Sequence, residues 1–151
     1  MPNWCRNRVT VFGKEEDISK ISEIFSDKKS IFAHIIKSPD WKRLPNEKGQ
    51  FPQLEQMKNP KGEVMWETYN FPDGKNDDRW YDWNIQNWGT KWDITADSVD
   101  MESYDSEQLE IEFSTAWRPP EPICKKLRQM FPHLSFSWFY DEPGMELAGY
   151  L

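Results

Sequence analysis

Few side chains in this sequence are placed to do covalent or acid–base chemistry. Cys5 lies between Trp4 and Arg6, and a neighbouring cation lowers a thiol's pKa and makes it nucleophilic. A base and an orienting group for it would have to come from His34 and His133, the only two histidines. His34 sits in an apolar run and His133 just after a helix stop, and neither has the Ser or Cys surroundings of a nucleophile elbow. Cys5 is therefore read as a small buried thiol at the start of a strand, and Cys124, one turn before Leu127, as helix packing. Two cysteines build neither a disulfide framework nor a Cys-only zinc site, and no close His/Cys pair has ligand spacing. Gly13 and Gly89 stand alone, so there is no glycine-rich phosphate loop. Asp77/Asp78 and Glu110/Glu112 read as solvated carboxylates. No catalytic residue, metal or cofactor is expected, and no enzymatic activity.

Residues 80–93 hold four of the nine tryptophans. In a short helix, Trp80, Trp83, Asn84, Asn87 and Trp88 fall at i, i+3, i+4, i+7 and i+8, one face carrying three indoles and two carboxamides. Gly89 then supplies a left-handed stop, and Lys91 lies near the partially negative end. Trp92, Ile94 and Ala96 alternate with Asp93 and Thr95 as a strand would. The simplest role for this block is packing, with Asn84 and Asn87 tying down loop backbone. The functional alternative is that some of these rings, with Tyr81 and Lys91, line a shallow pocket or a contact surface, since Trp and Tyr are common interface anchors.

The elements that would position these groups follow from periodicity. Residues 7–12 are rich in β-branched residues and end at Gly13, which predicts a short strand with Val9 and Val11 on one side and Arg8, Thr10 and Phe12 on the other. Ile18, Ile21, Ile24 and Phe25 then make a helical stripe behind an acidic first turn of Glu15, Glu16 and Asp17. Residues 31–36 predict a short buried segment that is either helical or extended. Residues 38–79 contain five prolines and no long periodic run, which predicts an irregular insertion. Its apolar residues, among them Trp41, Leu54, Met57, Met65, Trp66 and Phe71, should pack back on the domain, with a turn of helix at Gln53–Lys58 and a strand at 63–69. Residues 91–103 and 108–117 predict a hairpin with its turn at 104–107; in the second strand Leu109, Ile111 and Phe113 point inward and Glu110, Glu112 and Ser114 outward. A helix follows from Pro122 with Ile123, Leu127, Met130 and Phe131 on one face. Leu134, Phe136, Trp138 and Tyr140 alternate along a further strand, and residues 145–150 pair back on it.

With the insertion set aside, the order is strand, helix, strand, strand, helix, strand, plus a small terminal strand. This predicts one α+β domain over 1–151: a ferredoxin-like antiparallel sheet with both helices on one face, a long insertion and an extra C-terminal strand. Its 151 residues suffice for a core, and with 37% hydrophobic but 15% aromatic residues that core must rest on a few large rings.

Met1-Pro2-Asn3-Trp4-Cys5 with Asn7, the block at 80–93, Ser114-Thr115-Ala116-Trp117 before Pro119-Pro120, and the tail from Phe131-Pro132 to Gly149 together resemble the YubB ferredoxin-like domain family of bacterial plasmids and phages, also called Api-like. The resemblance covers both ends and the centre of the chain. It implies a ferredoxin-like fold and a mobile-element setting, and it implies no established activity and no catalytic residues.

The net charge is −7 and the pI near 4.9, which opposes passive attraction to nucleic acid or an anionic membrane. The excess belongs to the last two thirds, since residues 1–50 carry ten basic and seven acidic side chains. No stretch approaches the roughly 18 apolar residues of a membrane span, and a cytoplasmic location is expected. The expected function is an accessory protein that binds a host or mobile-element protein through an acidic surface including Asp97, Asp100, Glu102, Glu110 and Glu112, as an inhibitor that imitates nucleic acid or otherwise counters host defence. Two alternatives are a nucleic-acid-binding module using Arg6, Arg8, Lys14, Lys20, Lys28 and Lys29, and an enzyme with a site near Cys5 or residues 80–93. The oligomeric state is not encoded in any pattern of the chain.

Overall fold

β1 (Trp4–Phe12) alternates along its whole length: Cys5, Asn7, Val9 and Val11 are buried while Trp4, Arg6, Arg8 and Phe12 are exposed. The computed structural model of the protein describes residues 2–151; Met1, first residue of the amino-terminal motif, lies outside them. The chain divides into two compact units, one made of Met1–Lys37 with Asn84–Leu151 and the other of Ser38–Trp83.

In the first unit β1 is the middle strand of five. It pairs antiparallel with β5 (Gln108–Ala116) on one side and β6 (Ser135–Glu142) on the other; β4 (Asp100–Asp105) lies outside β5, and β7 (Leu147–Tyr150) outside β6. Helices α1 (Glu15–Ile24) and α4 (Glu121–Met130) follow β1 and β5. Order and pairing are those of the expected ferredoxin-like fold with one strand added at its end. The helices bury Ile18 and Ile21, and Ile123, Cys124 and Leu127; Met130, at the end of the second stripe, is exposed.

The core is aromatic, but its centre is not the tryptophan-rich stretch. Phe113 of β5 stands 5.8 Å from both Phe25 and Trp138 and 6.1 Å from Phe32, which in turn meets Trp88 at 6.1 Å. Phe32 belongs to α2 (Phe32–Ile35), so the apolar run at 31–36 is a single helical turn. Within this apolar layer lies the polar side chain of Asn7. The Asn7 carboxamide donates to Thr115 Oγ1 at 3.0 Å and to the carbonyls of Cys5 and Phe113, and accepts from Trp138 Nε1 at 3.1 Å. Asn7 and Trp138 are fully buried, and every partner sits on β1, β5 or β6.

The strand predicted at 91–103 begins only at Asp100. Asp93 faces neither side of a sheet: its Oδ1 accepts from the amides of Phe32 at 2.6 Å and Ile31 at 3.1 Å, and its Oδ2 from that of Ala33 at 3.1 Å. Thus a carboxylate distant in sequence caps α2, satisfying amides that no neighbouring residue reaches. The hairpin turn is also shorter than expected, since β4 runs to Asp105 and β5 resumes at Gln108.

In the second unit, β2 (Gln53–Lys58) pairs antiparallel with β3 (Val64–Asn70), so Gln53–Lys58 is a strand and not the predicted helical turn. Its Gln, Glu, Met and Lys favour helix, but Asn59 Oδ1 accepts from the amides of Lys61 and Glu63 and closes a tight turn that turns the chain back. The expected burial of its apolar residues is only partial: Leu54, Met57, Met65 and Trp66 are exposed. Arg79, at the start of α3 (Arg79–Asn87), holds the rest of the unit together. Its guanidinium pairs with the buried Asp77 at 2.9 Å, donates to the carbonyls of Trp41, Leu44 and Pro45, and lies 5.1 Å from the Trp41 ring and 5.2 Å from that of Phe71. Hydrogen bonding to Arg79 holds the Asp77 carboxyl below its usual range.

Asn7→Ala leaves the buried Trp138 and Thr115 groups without their partner and should cost about 2–3 kcal/mol in urea unfolding; a loss under about 0.5 kcal/mol would mean that the network is dispensable. Arg79→Lys cannot reproduce the planar fork. Hydrogen exchange should then speed up in residues 41–45 while the five-stranded sheet stays protected, and unchanged exchange there would refute the clamp.

Candidate functional site

The sheet face opposite α1 and α4 is built by the outward residues of each strand. Register sets Arg8 of β1 opposite Glu112 of β5 and Asp100 of β4, and Thr10 opposite Glu110 and Glu102. Four of the five predicted acidic residues, Asp100, Glu102, Glu110 and Glu112, therefore gather and line a shallow depression of about 300 Å³ with Met101. The fifth, Asp97, is exposed in the short 3-10 turn Ala96–Ser98 before β4 and is not part of that lining. The charge is unevenly spent. Glu112 is bound by Arg6 Nε at 2.5 Å and approached by Arg8 Nε at 3.8 Å, whereas Asp100, Glu102 and Glu110 make no salt bridge among the described residues. Tyr104 donates its hydroxyl to Glu110 Oε2 at 3.0 Å. That bond and the charge of Glu102 push the phenol's pKa up.

Where β1 begins and β5 ends, this face meets a cleft of about 530 Å³ walled by Trp4 and Trp92, with Thr115 and Ala116 as its inner lining and Ser98 and Ser114 at its margin. The two indoles stand 6.1 Å apart and tilted by 33°, and they are large exposed rings, at 50% and 39%. The inner lining is fixed from behind, since Thr115 accepts from Asn7 and donates to the carbonyl of Arg118 at 2.7 Å. Pairing of Trp4 with Trp92 was not legible in the sequence, because it depends on where the coil after Gly89 runs.

The tryptophan block is divided between the two units. Trp80, Tyr81 and Trp83 belong to the second unit and Asn84, Asn87, Trp88, Lys91 and Trp92 to the first. In the second, Trp80 lies 5.9 Å from Tyr81 and helps line a separate hollow with Trp41 and Tyr69. In the first, Trp88 is the one indole of the block that is buried, at 4%, donating from Nε1 to the carbonyl of Ile36 at 2.9 Å. Asn84 donates to the carbonyl of Lys91 at 2.8 Å, the backbone tie its position suggested, and Gly89 takes the left-handed conformation at φ 81°. Asn87 is half-buried. Packing is thus the role of Trp88, and exposure that of Trp92, beside whose ring Lys91 Nζ lies at 4.5 Å.

The groups considered for covalent chemistry are dispersed. Cys5 is fully buried, and burial pushes its thiol up to about 11, opposed by a hydrogen bond with Thr115 and assisted by the charges of Asp141 and Glu142. Burial also raises the Cys124 thiol. His34 Nε2 lies 2.7 Å from Asp27 Oδ2 on the surface. Amides of Ser30 and Lys29, and then His34, bring Asp27 down to about 2. No group of three or more potential metal ligands occurs among the described residues. The basic residues of the first third are divided: Arg6 and Arg8 lie on the sheet face beside Glu112, while Lys20 belongs to α1.

The fold and the face now described define a ferredoxin-like α+β protein. Over residues 87–151 the chain matches the family model of the ferredoxin-like domain in Api92-like protein. Among solved structures it is similar to that of protein api92 from Yersinia pseudotuberculosis, at 10% identity and a TM-score of 0.62, over 99% of this chain and 93% of that one. At that identity the likeness is one of fold alone. No curated protein matches the sequence. No helix among the described residues is long and apolar enough to cross a membrane.

Because the thiolate is the reactive species, Cys5 in the native protein at pH 8 should be alkylated by iodoacetamide on the order of a hundredfold more slowly than in urea. Mass-spectrometric mapping that found Cys5 modified at a free-thiol rate would reopen the nucleophile reading.

Proposed function

We propose that this protein is a non-enzymatic binding protein of a phage or plasmid, and that it engages a basic surface of a host or mobile-element protein through its open sheet face. The observation that carries this reading is the row of carboxylates Asp100, Glu102 and Glu110, which no cation neutralises among the described residues and on which register concentrates charge that the sequence spreads over two strands. Like charges held close together repel, and a cationic partner relieves that repulsion while gaining a steered approach. A partner that ordinarily holds nucleic acid offers such a surface, which makes imitation of nucleic acid and inhibition of a defence or nucleic-acid-handling protein the leading role. The mobile-element setting rests on the resemblance of the amino-terminal motif, the block at 80–93 and the carboxyl-terminal tail to proteins of that origin.

Charged residues on an edge strand such as β4 also discourage edge-to-edge association, so the test must separate partner binding from that protective role. The wild-type protein and the double variant Glu102→Lys/Glu110→Lys, both immobilised, are challenged with host lysate. A protein retained by the wild type at about 0.05 M salt, released by about 0.5 M and not retained by the variant is the expected result. Equal retention by the variant, or retention unaffected by salt, would sink the electrostatic reading.

A further inference from the structure

We propose that the cleft beside Trp4 and Trp92 receives an arginine side chain from an extended basic segment of the protein partner, whose next cations lie on the carboxylates of β4 and β5. The inference rests on the acidic-face reading and names its anchor.

Two features point to this occupant. The first is continuity of charge. Ser98, in the 3-10 turn that leads into β4, and Ser114 of β5 line the cleft; the first residue of β4, Asp100, stands opposite Glu112, and two residues along, Glu102 stands opposite Glu110. Alternate residues of a strand are about 7 Å apart, and a bound extended peptide has the same repeat. A segment with cations at alternate positions that places one in the cleft therefore brings the next to Asp100 and the one after to Glu102 and Glu110. Glu112 is already held by Arg6, so the first step relies on Asp100.

The second feature is the shape and surface of the cleft. Its walls are two exposed indoles, the best aromatic faces for a cation, and a guanidinium stacks on them better than a more strongly hydrated ammonium. The rings are too close for a base to be sandwiched between them. Contacts of 3.5–4.0 Å on each side would require about 7 Å, and the rings stand at 6.1 Å with a 33° tilt. A side chain that lies along one wall needs no such gap. Ser98 uses its hydroxyl hydrogen on the carbonyl of Thr95 at 2.9 Å and keeps lone pairs for a donor. Asp93 also lines the cleft, and its oxygens accept from the backbone amides of α2, which fixes it in place beside the indoles and the serines. Lys91 stacks on Trp92 but is not part of the lining. Phosphates, by contrast, would meet the carboxylate row one step away.

The probes are synthetic peptides with arginine, or lysine, at alternate positions separated by glycine, and a single-stranded thymidine oligonucleotide, each titrated calorimetrically. Wild-type protein should bind the arginine peptide more tightly than the lysine peptide and the oligonucleotide not at all. Trp92→Ala should weaken the arginine peptide by about tenfold and abolish the preference for arginine. Ser114→Arg, at an exposed position, should block the cleft with a cation of its own while the circular dichroism spectrum stays unchanged. If Glu102→Lys/Glu110→Lys abolishes binding while Trp92→Ala and Ser114→Arg leave both affinity and preference intact, the cleft proposal falls and the acidic face stands. Failure of the wild type to bind the arginine peptide, or tighter binding of the oligonucleotide, overturns the cleft proposal outright; retention of a salt-sensitive lysate protein would still support the face.

Discussion

A buried carboxamide can be kept only where every one of its polar atoms is answered, and Asn7 at the middle of the sheet imposes that condition on three strands at once. Its neighbours on β5 and β6 must present a hydroxyl, a carbonyl and an indole N–H at set positions. A slip of either strand by one residue would turn those groups to the other face and leave the amide dry and unpaired. Apolar packing alone tolerates exchange among residues of similar volume, whereas this network distinguishes the native register from its neighbours. With Phe113 and Trp138 meeting edge to face beside it, the same few residues supply both the burial and the specificity of the core.

Consequences of that register reach the surface. Since β5 is fixed against β1, its outward carboxylates are fixed against Arg6 and Arg8, and Glu112 is neutralised while Glu110 meets only the Tyr104 hydroxyl and no cation among the described residues. Thr115, held by Asn7 on one side and the Arg118 carbonyl on the other, gives the cleft a rigid inner lining. Asp93 plays the corresponding part for the opposite wall, because the carboxylate that caps α2 also anchors the segment carrying Trp92. The open face is thus shaped by bonds that lie behind it.

Legibility in the sequence followed the strength of each local pattern. Strand β5, with alternate apolar and charged residues, and helix α4, with Ile123 and Leu127 one turn apart, could be read off directly because each buries a single face. Gly89 was legible as a stop for the same kind of reason, as only glycine takes its conformation without strain. The stretch after it was not. Trp92, Ile94 and Ala96 alternate as a strand would, but Asp93 found amides to accept from in a distant helical turn, and that satisfied the backbone better than a further ladder. Gln53–Lys58 failed in the opposite sense: its residues favour helix, and pairing with β3 decided otherwise.

Of the candidate site, the sequence by itself determined composition and alternation: which carboxylates would point away from the core, that the chain would be acidic, and that large rings would carry its burial. Only the tertiary structure decided which charges meet and which rings are left in water, joining Glu112 to arginines far away in the chain, sending Trp88 inward and Trp92 outward, and bringing Trp92 to Trp4. Periodicity encodes the side of an element on which a residue lies, which depends on a few neighbours along the chain. The pairing of residues from separate elements depends on the register and the path of the coil between them, and those are set by long-range hydrogen bonds that no local window contains.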